Sequence, residues 1–495
     1  MKIPGYAVSF LMALVFASLI PGVVTAQFTV ASMFTDNAVL QQAMPVPVWG
    51  TAKPGAEVTV KFSGQQKSTT ANPDGRWKVE LDPLTASFDP KPLTIDSSSA
   101  KKQLVFKNVL VGEVWICSGQ SNMQMGFGQI PNIKALIPSV KNIRKFTVKQ
   151  TVAFTEQDTL EGQWKVQRPD SAVAFAFAYH LEQAADIPVG IVQTCWGSSS
   201  IEGWMPRDMM DELPHFQKQM QSFDADQEKR ARIESILNGK KPWGRKNDIF
   251  LRTQQNIIYN AMMHPLAPMA CRGIVWYQGE ANAKPIKPML QYGLTLPAWI
   301  KRYRKEWGRD DLHFMVVMLP GFAKGLKDRA ARPDQRSWAW MRESQLKALD
   351  LSHTSVANTI DLGHPTNIHP TDKLPIGKRL ARLAAHETLG KEIEPRGPVL
   401  KEVKSKGREL VVHFGHATGL KTKDGEPPTG FWVANDAKKW VKAEARIDGE
   451  TVVLKAADLT RPLFVRYAFA GKPKVNLVNK DGLPAYPFRT DNFKP

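Results

Sequence analysis

The stretch Val114-Trp115-Ile116-Cys117-Ser118-Gly119-Gln120-Ser121-Asn122-Met123 decides how this chain is read. Its apolar part has the character of a strand, and it ends at a glycine followed within two residues by a serine. A parallel sheet presents a nucleophile in this way, at the carboxyl edge of a strand, where the next helix begins and its N–H groups supply positive potential. The spacing is Gly119-x-Ser121-x-Met123 rather than G-x-S-x-G, which speaks against the nucleophile elbow of the α/β-hydrolases. Taken alone, Ser121 reads equally well as a helix N-cap.

Outward from this stretch, from about residue 107 to 390, apolar runs alternate with helical ones. The runs are NVLVGEVWICSG, IPVGIVQTC, CRGIVWYQG, HFMVVMLP and SVANTID. The helices include SAVAFAFAYHLEQAA, opened by the N-cap candidate Ser171, and IGKRLARLAAHETLG after Pro375. Such alternation implies an α/β fold, a mainly parallel sheet covered by helices on both faces. Residues 27–106 instead carry short β-rich runs broken by turns such as Asn72-Pro73-Asp74-Gly75, the pattern of a small antiparallel β-domain. β-patterning returns over 391–495, with Asp448-Gly449 as a hairpin signal, and suggests a β-sandwich-like segment. The polar, charged stretch at about 207–248 reads as a helical insertion without assigned chemistry. No Ser/Gly-rich or Pro-rich linker lies near 106 or 391, so both terminal segments are expected to dock closely.

Lys2, the apolar run Val8 to Ile20 and the small-residue ending Val24-Thr25-Ala26 predict a signal peptide over 1–26, cleaved before Gln27. The apolar run is short for a membrane span, and no cysteine lies near the cleavage site. A secreted or periplasmic protein without a membrane anchor is therefore expected. Lysine and arginine number 66 against 47 aspartates and glutamates, a formal charge of +19. A basic surface attracts polyanions, but export argues against nucleic acid, and the basic residues are spread along the chain. A solvated basic surface accounts for them; attraction of an acidic polysaccharide or an anionic cell surface is the sharper reading. Cys117, Cys195 and Cys271 each sit in an apolar strand-like run and read as buried strand residues, with room for one fortuitous bridge, rather than a disulfide framework.

Three further signals bear on chemistry. The segment TIDLGHPTNIHPTDKLPIGKRLA, from Thr359, places His369 in a loop before a helix, with Asp361 upstream. The order Ser121, Asp361, His369 suits a catalytic triad built late in the domain. Asp361 and His364 also fit a D-x-x-H spacing, which makes His364 the rival base. The turn after Gly273-Ile274-Val275-Trp276-Tyr277 carries Gln278, Glu280 and Asn282. Gln278 or Asn282 is a candidate donor to a tetrahedral oxyanion, and so is the Gly197 N–H after Cys195-Trp196. Glu280 reads equally as a residue that orders these loops or as a proton carrier.

GQSNM, the Trp196-Gly197 turn, WYQGEAN and IHPTDKLPIGKRLA, in this order and spacing, resemble the blocks of the sialate O-acetylesterase family of SGNH hydrolases. The stretches MFTDNAVLQQAMPVPVWGTAKPG, YNAMMHPL and NKDGLPAYPFRTDNF are similar to family segments as well. The resemblance implies an SGNH-hydrolase-like sheet and cofactor-free hydrolysis of acetyl esters on carbohydrate through a serine acyl-enzyme. Ser121 becomes the nucleophile and His369 the base. The oxyanion hole falls to the N–H groups of Ser121 and Gly197 and the side chain of Gln278 or Asn282. Many SGNH enzymes have Asp three residues before the histidine; here Thr366 stands there and Asn367 follows. Asp361 is then the orienting acid, or a Ser-His dyad oriented by a backbone carbonyl operates without one. No His- or Cys-rich ligand spacing calls for a metal. A non-catalytic glycan-binding protein and a serine esterase or lipase of other substrate class are the alternatives. Ser121, His369 and the oxyanion candidates together argue against the first, and the lack of an apolar lid against a lipase. The sugar is not legible; the net charge favours an acidic glycan.

Overall fold

A single strand, Leu104–Gly119 (β1), carries the chain from its N-terminal β segment into the central sheet. Up to Asn108 its residues alternate between exposed and covered, and from Val109 onward every residue is buried. One face meets solvent in the first part; both faces are covered in the second, which is why the sequence turns continuously apolar there. The boundary expected between residues 106 and 107 therefore falls inside one strand. Solvent leaves the strand at that point, but the chain does not change direction. The computed structural model describes residues 27–128, 133, 135–137, 142–325, 331–333, 337–457, 459 and 462–495, and the expected signal peptide lies outside them.

After β1 come the one-turn helix Ser121–Gln124 (α1), strands Ile143–Thr147 (β2) and Trp164–Lys165 (β3), and helix Ala172–Ala185 (α2). Strands Val189–Cys195 (β4) and Gly273–Tyr277 (β5) follow. Helix Ile286–Trp307 (α3), strands His313–Val317 (β6) and Thr354–Ala357 (β7), and helix Leu374–Leu389 (α4) complete the central part. The spatial order is β3-β2-β4-β1-β5-β6-β7, with all neighbours parallel except the β3–β2 pair. N-terminal strands join β1 to complete a large mixed sheet: Val39–Gln41 pairs with it in parallel and Ser87–Ser97 antiparallel.

Register sorts the tryptophans to opposite faces. Gly273 pairs with Trp115 and Trp276 with Ser118, so Trp115 and Trp276 point away from each other across the sheet. On one side Trp115 meets Phe177 of α2 edge-on at 5.4 Å; on the other Trp276 meets Trp299 of α3 at 4.5 Å. α4 lies against α2 at backbone distance, since a Cβ on Gly377 would sit 2.3 Å from the Ala176 Cβ. The alanine-rich face of α2 and that glycine permit this approach.

Both terminal segments are tied down by buried polar contacts. Gln41 donates to Glu113 in the middle of β1, and Arg272 at the start of β5 grips the same carboxylate. At the other end, the fully buried Arg342 donates to the carbonyls of Leu319 and Pro320 in the centre and of Ala470 and Gly471 in the C-terminal segment. Asn358 bonds the carbonyls of Pro484 and Ala485. All three cysteines are buried and free. The stretch at 207–248 includes helices Pro214–Ala225 and Gln227–Leu237.

Replacing Arg342 strands four buried carbonyls. Arg342→Ala is expected to cost more than about 3 kcal/mol and to release the C-terminal segment to protease before the central sheet yields. Urea unfolding and limited proteolysis check this; an unchanged midpoint and cleavage pattern would show that the segment is held by other means.

Candidate active site

Strand β1 ends at Gly119 because no other residue fits: its φ is +137°, and a Cβ there would lie 2.2 Å from the Tyr277 carbonyl oxygen of β5. The close approach continues at Gln120, whose N–H donates to that carbonyl. α1 then starts at Ser121, at the carboxyl edge of the parallel strands. The Ser121 N–H has no partner among the described residues, as expected of a helix's first donor. Ser121 Oγ lies 2.9 Å from Nε2 of His369, which arrives on the loop before α4. The hydroxyl and the imidazole are thus within direct proton-transfer distance.

The loop is held in place from beneath. Asn122, fully buried, donates to the backbone carbonyl of Ile368, the residue before the histidine, and to Glu280. Its own carbonyl accepts from Lys373, also fully buried. One side chain next to the serine therefore fixes the loop of the histidine and sits between a carboxylate and an ammonium. Glu280, read as either loop-ordering or proton-carrying, is placed to order the loops. His364 is exposed, and its Nδ1 accepts from the backbone of Thr366 and Asn367, away from Ser121.

Asp361 does not meet His369. Both of its oxygens are taken by Arg379 of α4 at 2.8 Å, and although burial pushes its pKa up, the guanidinium outweighs this and holds it below the usual carboxylate range. The nearness of Asp361 and His369 in sequence is overridden by α4, which brings the arginine to the carboxylate. His369 Nδ1 has no partner among the described residues, so Nε2 carries the ring's one side-chain contact, to Ser121.

The expected oxyanion donors are also spent. Gln278 is wholly buried; its amide donates to Gln120, Asn282 and the Ser199 carbonyl and accepts from Tyr292. Asn282 gives its NH2 to the Glu202 carboxylate and accepts from Gln278 and the Ile201 N–H. These side chains satisfy one another, as buried polar groups must, and brace the turns behind the serine. The Gly197 N–H lies beside Ser121 but donates to Gln124 Oε1 at 2.7 Å. Asn122, Gln124, Lys373 and Arg252 were not singled out from sequence. Asn122 and Gln124 follow Ser121 in GQSNMQ and Lys373 lies in the IHPTDK block, whereas nothing in the chain marks Arg252. Its Nη1 lies 3.4 Å from the point a Gly197 Cβ would occupy, and nearby Trp243, 41% exposed, stacks on Trp196. The insertion thus reaches the rim of the site.

The carbohydrate esterase family of sialic acid-specific acetylesterases matches residues 111–239 and 241–386, which include the serine, the histidine and their supporting residues. The chain belongs to this family. It is similar to a carbohydrate acetylesterase of known structure from Xanthomonas citri, 32% identical with a TM-score of 0.80, covering 94% of this chain and 100% of that one. Sialate O-acetylesterases are similar too: that of Mus musculus is 27% identical over 489 residues, 89% of each chain, and that of Homo sapiens 26% identical over 430, covering 78% of this chain and 75% of the human protein. The resemblance drawn from the four sequence blocks is borne out, and the chain is a carbohydrate esterase.

In this carbohydrate esterase, burial and the Lys373 charge lower the pKa of His369. Burial pushes Lys373 itself down to about 8, against the pull of Glu280, whose own carboxyl is raised by burial. A lowered imidazole pKa keeps the ring neutral, and so able to accept a proton, at pH 7. Hydrolysis that needs neutral His369 is therefore expected to hold at pH 7 and to fall on acidification with a midpoint below the ordinary 6.5. Lys373→Met removes a charge that disfavours the imidazolium, so its midpoint should move up. The kcat/KM profile for an aryl acetate reads both, and a midpoint that stays or moves down contradicts the assignment.

Proposed function

We propose that the enzyme removes acetyl groups from sugars through an acetyl-serine intermediate, with Ser121 as nucleophile and His369 as general base. The observation that carries this reading is the 2.9 Å contact between Ser121 Oγ and His369 Nε2 at the sheet's carboxyl edge, within a family of carbohydrate esterases. Oγ attacks the acetyl carbon as its proton passes to Nε2, and the carbonyl electrons move onto oxygen. The tetrahedral species collapses, the bond to the sugar oxygen breaks, and His369 returns the proton to the leaving hydroxyl. Water, deprotonated by His369, then attacks the acetyl carbon; the bond to Ser121 Oγ breaks, His369 returns the proton to Oγ, and acetic acid leaves, ionising to acetate in solution. The Ser121 N–H at the start of α1 is one donor to the oxyanion.

In the same reading the central sheet has the SGNH-hydrolase arrangement, supported by the order of its parallel strands and by helices on both faces. Residues 107–390 carry the chemistry, and the segments 27–106 and 391–495 frame it as sandwich-like units. Export through a signal peptide over 1–26 is supported by Lys2, the apolar run and the small residues before Gln27. An acidic sugar is supported by the formal charge of +19.

The reading is tested by acetate release from aryl acetate and from acidic and neutral acetylated glycans. Ser121→Ala should abolish release, by on the order of a million-fold in turnover, with the fold intact by circular dichroism. His369→Ala should be nearly as damaging and His364→Ala mild. More than about a tenth of wild-type turnover in folded Ser121→Ala would remove the serine from its role, and a reversed order of the histidine variants would move the base to His364.

A further inference from the structure

A serine esterase needs donors aimed at the oxygen that becomes negative, and one N–H is rarely the whole set. Around Ser121 the expected additional donors are engaged elsewhere: Gln278 and Asn282 with each other and their buried neighbours, the Gly197 N–H with Gln124. The side chain that occupies Gly197 is therefore of interest. Ser121 and Gln124 are the first and last residues of α1, three apart, and residues at that spacing share one face of a helix. Gln124 Oε1 and Ser121 Cβ lie 3.1 and 3.5 Å from one common point beside Gly197, so both side chains border the same glycine. The orientation of that amide is fixed by chemistry. Gly197 can only donate, so the atom facing it is the oxygen, and the NH2 is turned away from Gly197. That NH2 has no partner among the described residues, although the side chain is half-buried.

We infer that Gln124 is a catalytic residue: its NH2, locked in orientation by the Gly197 N–H, is the second oxyanion donor, beside the Ser121 N–H. Gly197 then acts one step removed, as the group that orients the donor. This explains why a backbone N–H at the edge of the site is spent on a side chain, and why a glutamine is useful at that position. An amide can accept from Gly197 with one end and donate to a developing anion with the other. Glutamate matches its shape but offers a negative oxygen where the donor is needed. The inference rests on Ser121 as the nucleophile, and its test separates the two.

Turnover of an aryl acetate is measured at the high-pH plateau for Gln124→Glu, Gln124→Ala, Arg252→Ala and Ser121→Ala, with melting temperatures and with inhibition by methylboronic acid. That acid adds to a serine oxygen and places a negative oxygen where the oxyanion forms. Gln124→Glu, which keeps an acceptor for Gly197, and Gln124→Ala are each expected to lose about a hundred-fold or more in kcat with little change in KM. Boronate affinity should fall in parallel. The inference is overturned if both variants keep kcat within about three-fold, a change too small for a lost oxyanion donor. A gain in kcat/KM overturns it as well, since Gln124 would then be a plug that the substrate displaces. So does a rise in KM alone, or loss of boronate affinity in Arg252→Ala but not in the Gln124 variants. If Gln124→Ala melts early, the isosteric Gln124→Glu decides. Should Ser121→Ala remain active, the nucleophile assignment itself fails; an inactive Ser121→Ala with active Gln124 variants defeats the oxyanion donor alone.

Discussion

Asn122 spends both ends of its amide on groups that come from far along the chain: Glu280 and the Ile368 carbonyl on one side, Lys373 on the other. All three side chains are buried, so each would be costly unpartnered, and together they lock the turn after β1, the turn after β5 and the histidine loop before α4. The geometry of the Ser121–His369 contact depends on that lock. Ser121 is placed by the start of α1, but His369 stands on a loop, and a loop has no ladder of its own to hold a ring at 2.9 Å from a hydroxyl. The bond from Asn122 to the residue before the histidine gives the ring a fixed position.

The same arrangement sets the electrostatics. A carboxylate behind a histidine raises its pKa and stabilises the imidazolium. Here burial and a nearby ammonium do the opposite, so the resting ring is neutral and the ion formed on proton transfer is disfavoured. Such a site leans on its oxyanion donors, because the imidazolium forms together with a negative oxygen that must be held close by. The network of Gln278, Asn282, Gln120 and Glu202 behind the serine gives those turns the rigidity that preorganised donors require.

What the sequence disclosed follows from how buried structure writes itself into a chain. Strands covered on both faces appear as unbroken apolar runs, so β1, β4, β5 and β6 were legible. That Ser121 and His369 meet was legible through the motifs around them. Asp361 was misplaced because closeness in sequence stood in for closeness in space, while the arginine that claims it lies a helix away. Gln278 and Asn282 look like exposed polar residues of a glycine turn; their partners Gln120 and Glu202 come from other loops, and no local pattern announces the pairing. The boundary at 106/107 followed a change in composition that tracks the loss of solvent from one face of a continuous strand. Lys373 was hidden for a related reason, since a lysine in a polar loop gives no sign of burial.

The central claim is that Ser121 is made nucleophilic by His369 without a carboxylate partner. Its most direct measurement is the site of covalent labelling by a fluorophosphonate, located by peptide mass spectrometry in the wild type, His369→Ala and Asp361→Asn. The account predicts a phosphonyl group on Ser121 in the wild type, labelling nearly lost in His369→Ala, and labelling retained in Asp361→Asn at a rate close to wild type. Modification of a different residue, or loss of labelling in Asp361→Asn in a folded protein, would contradict it.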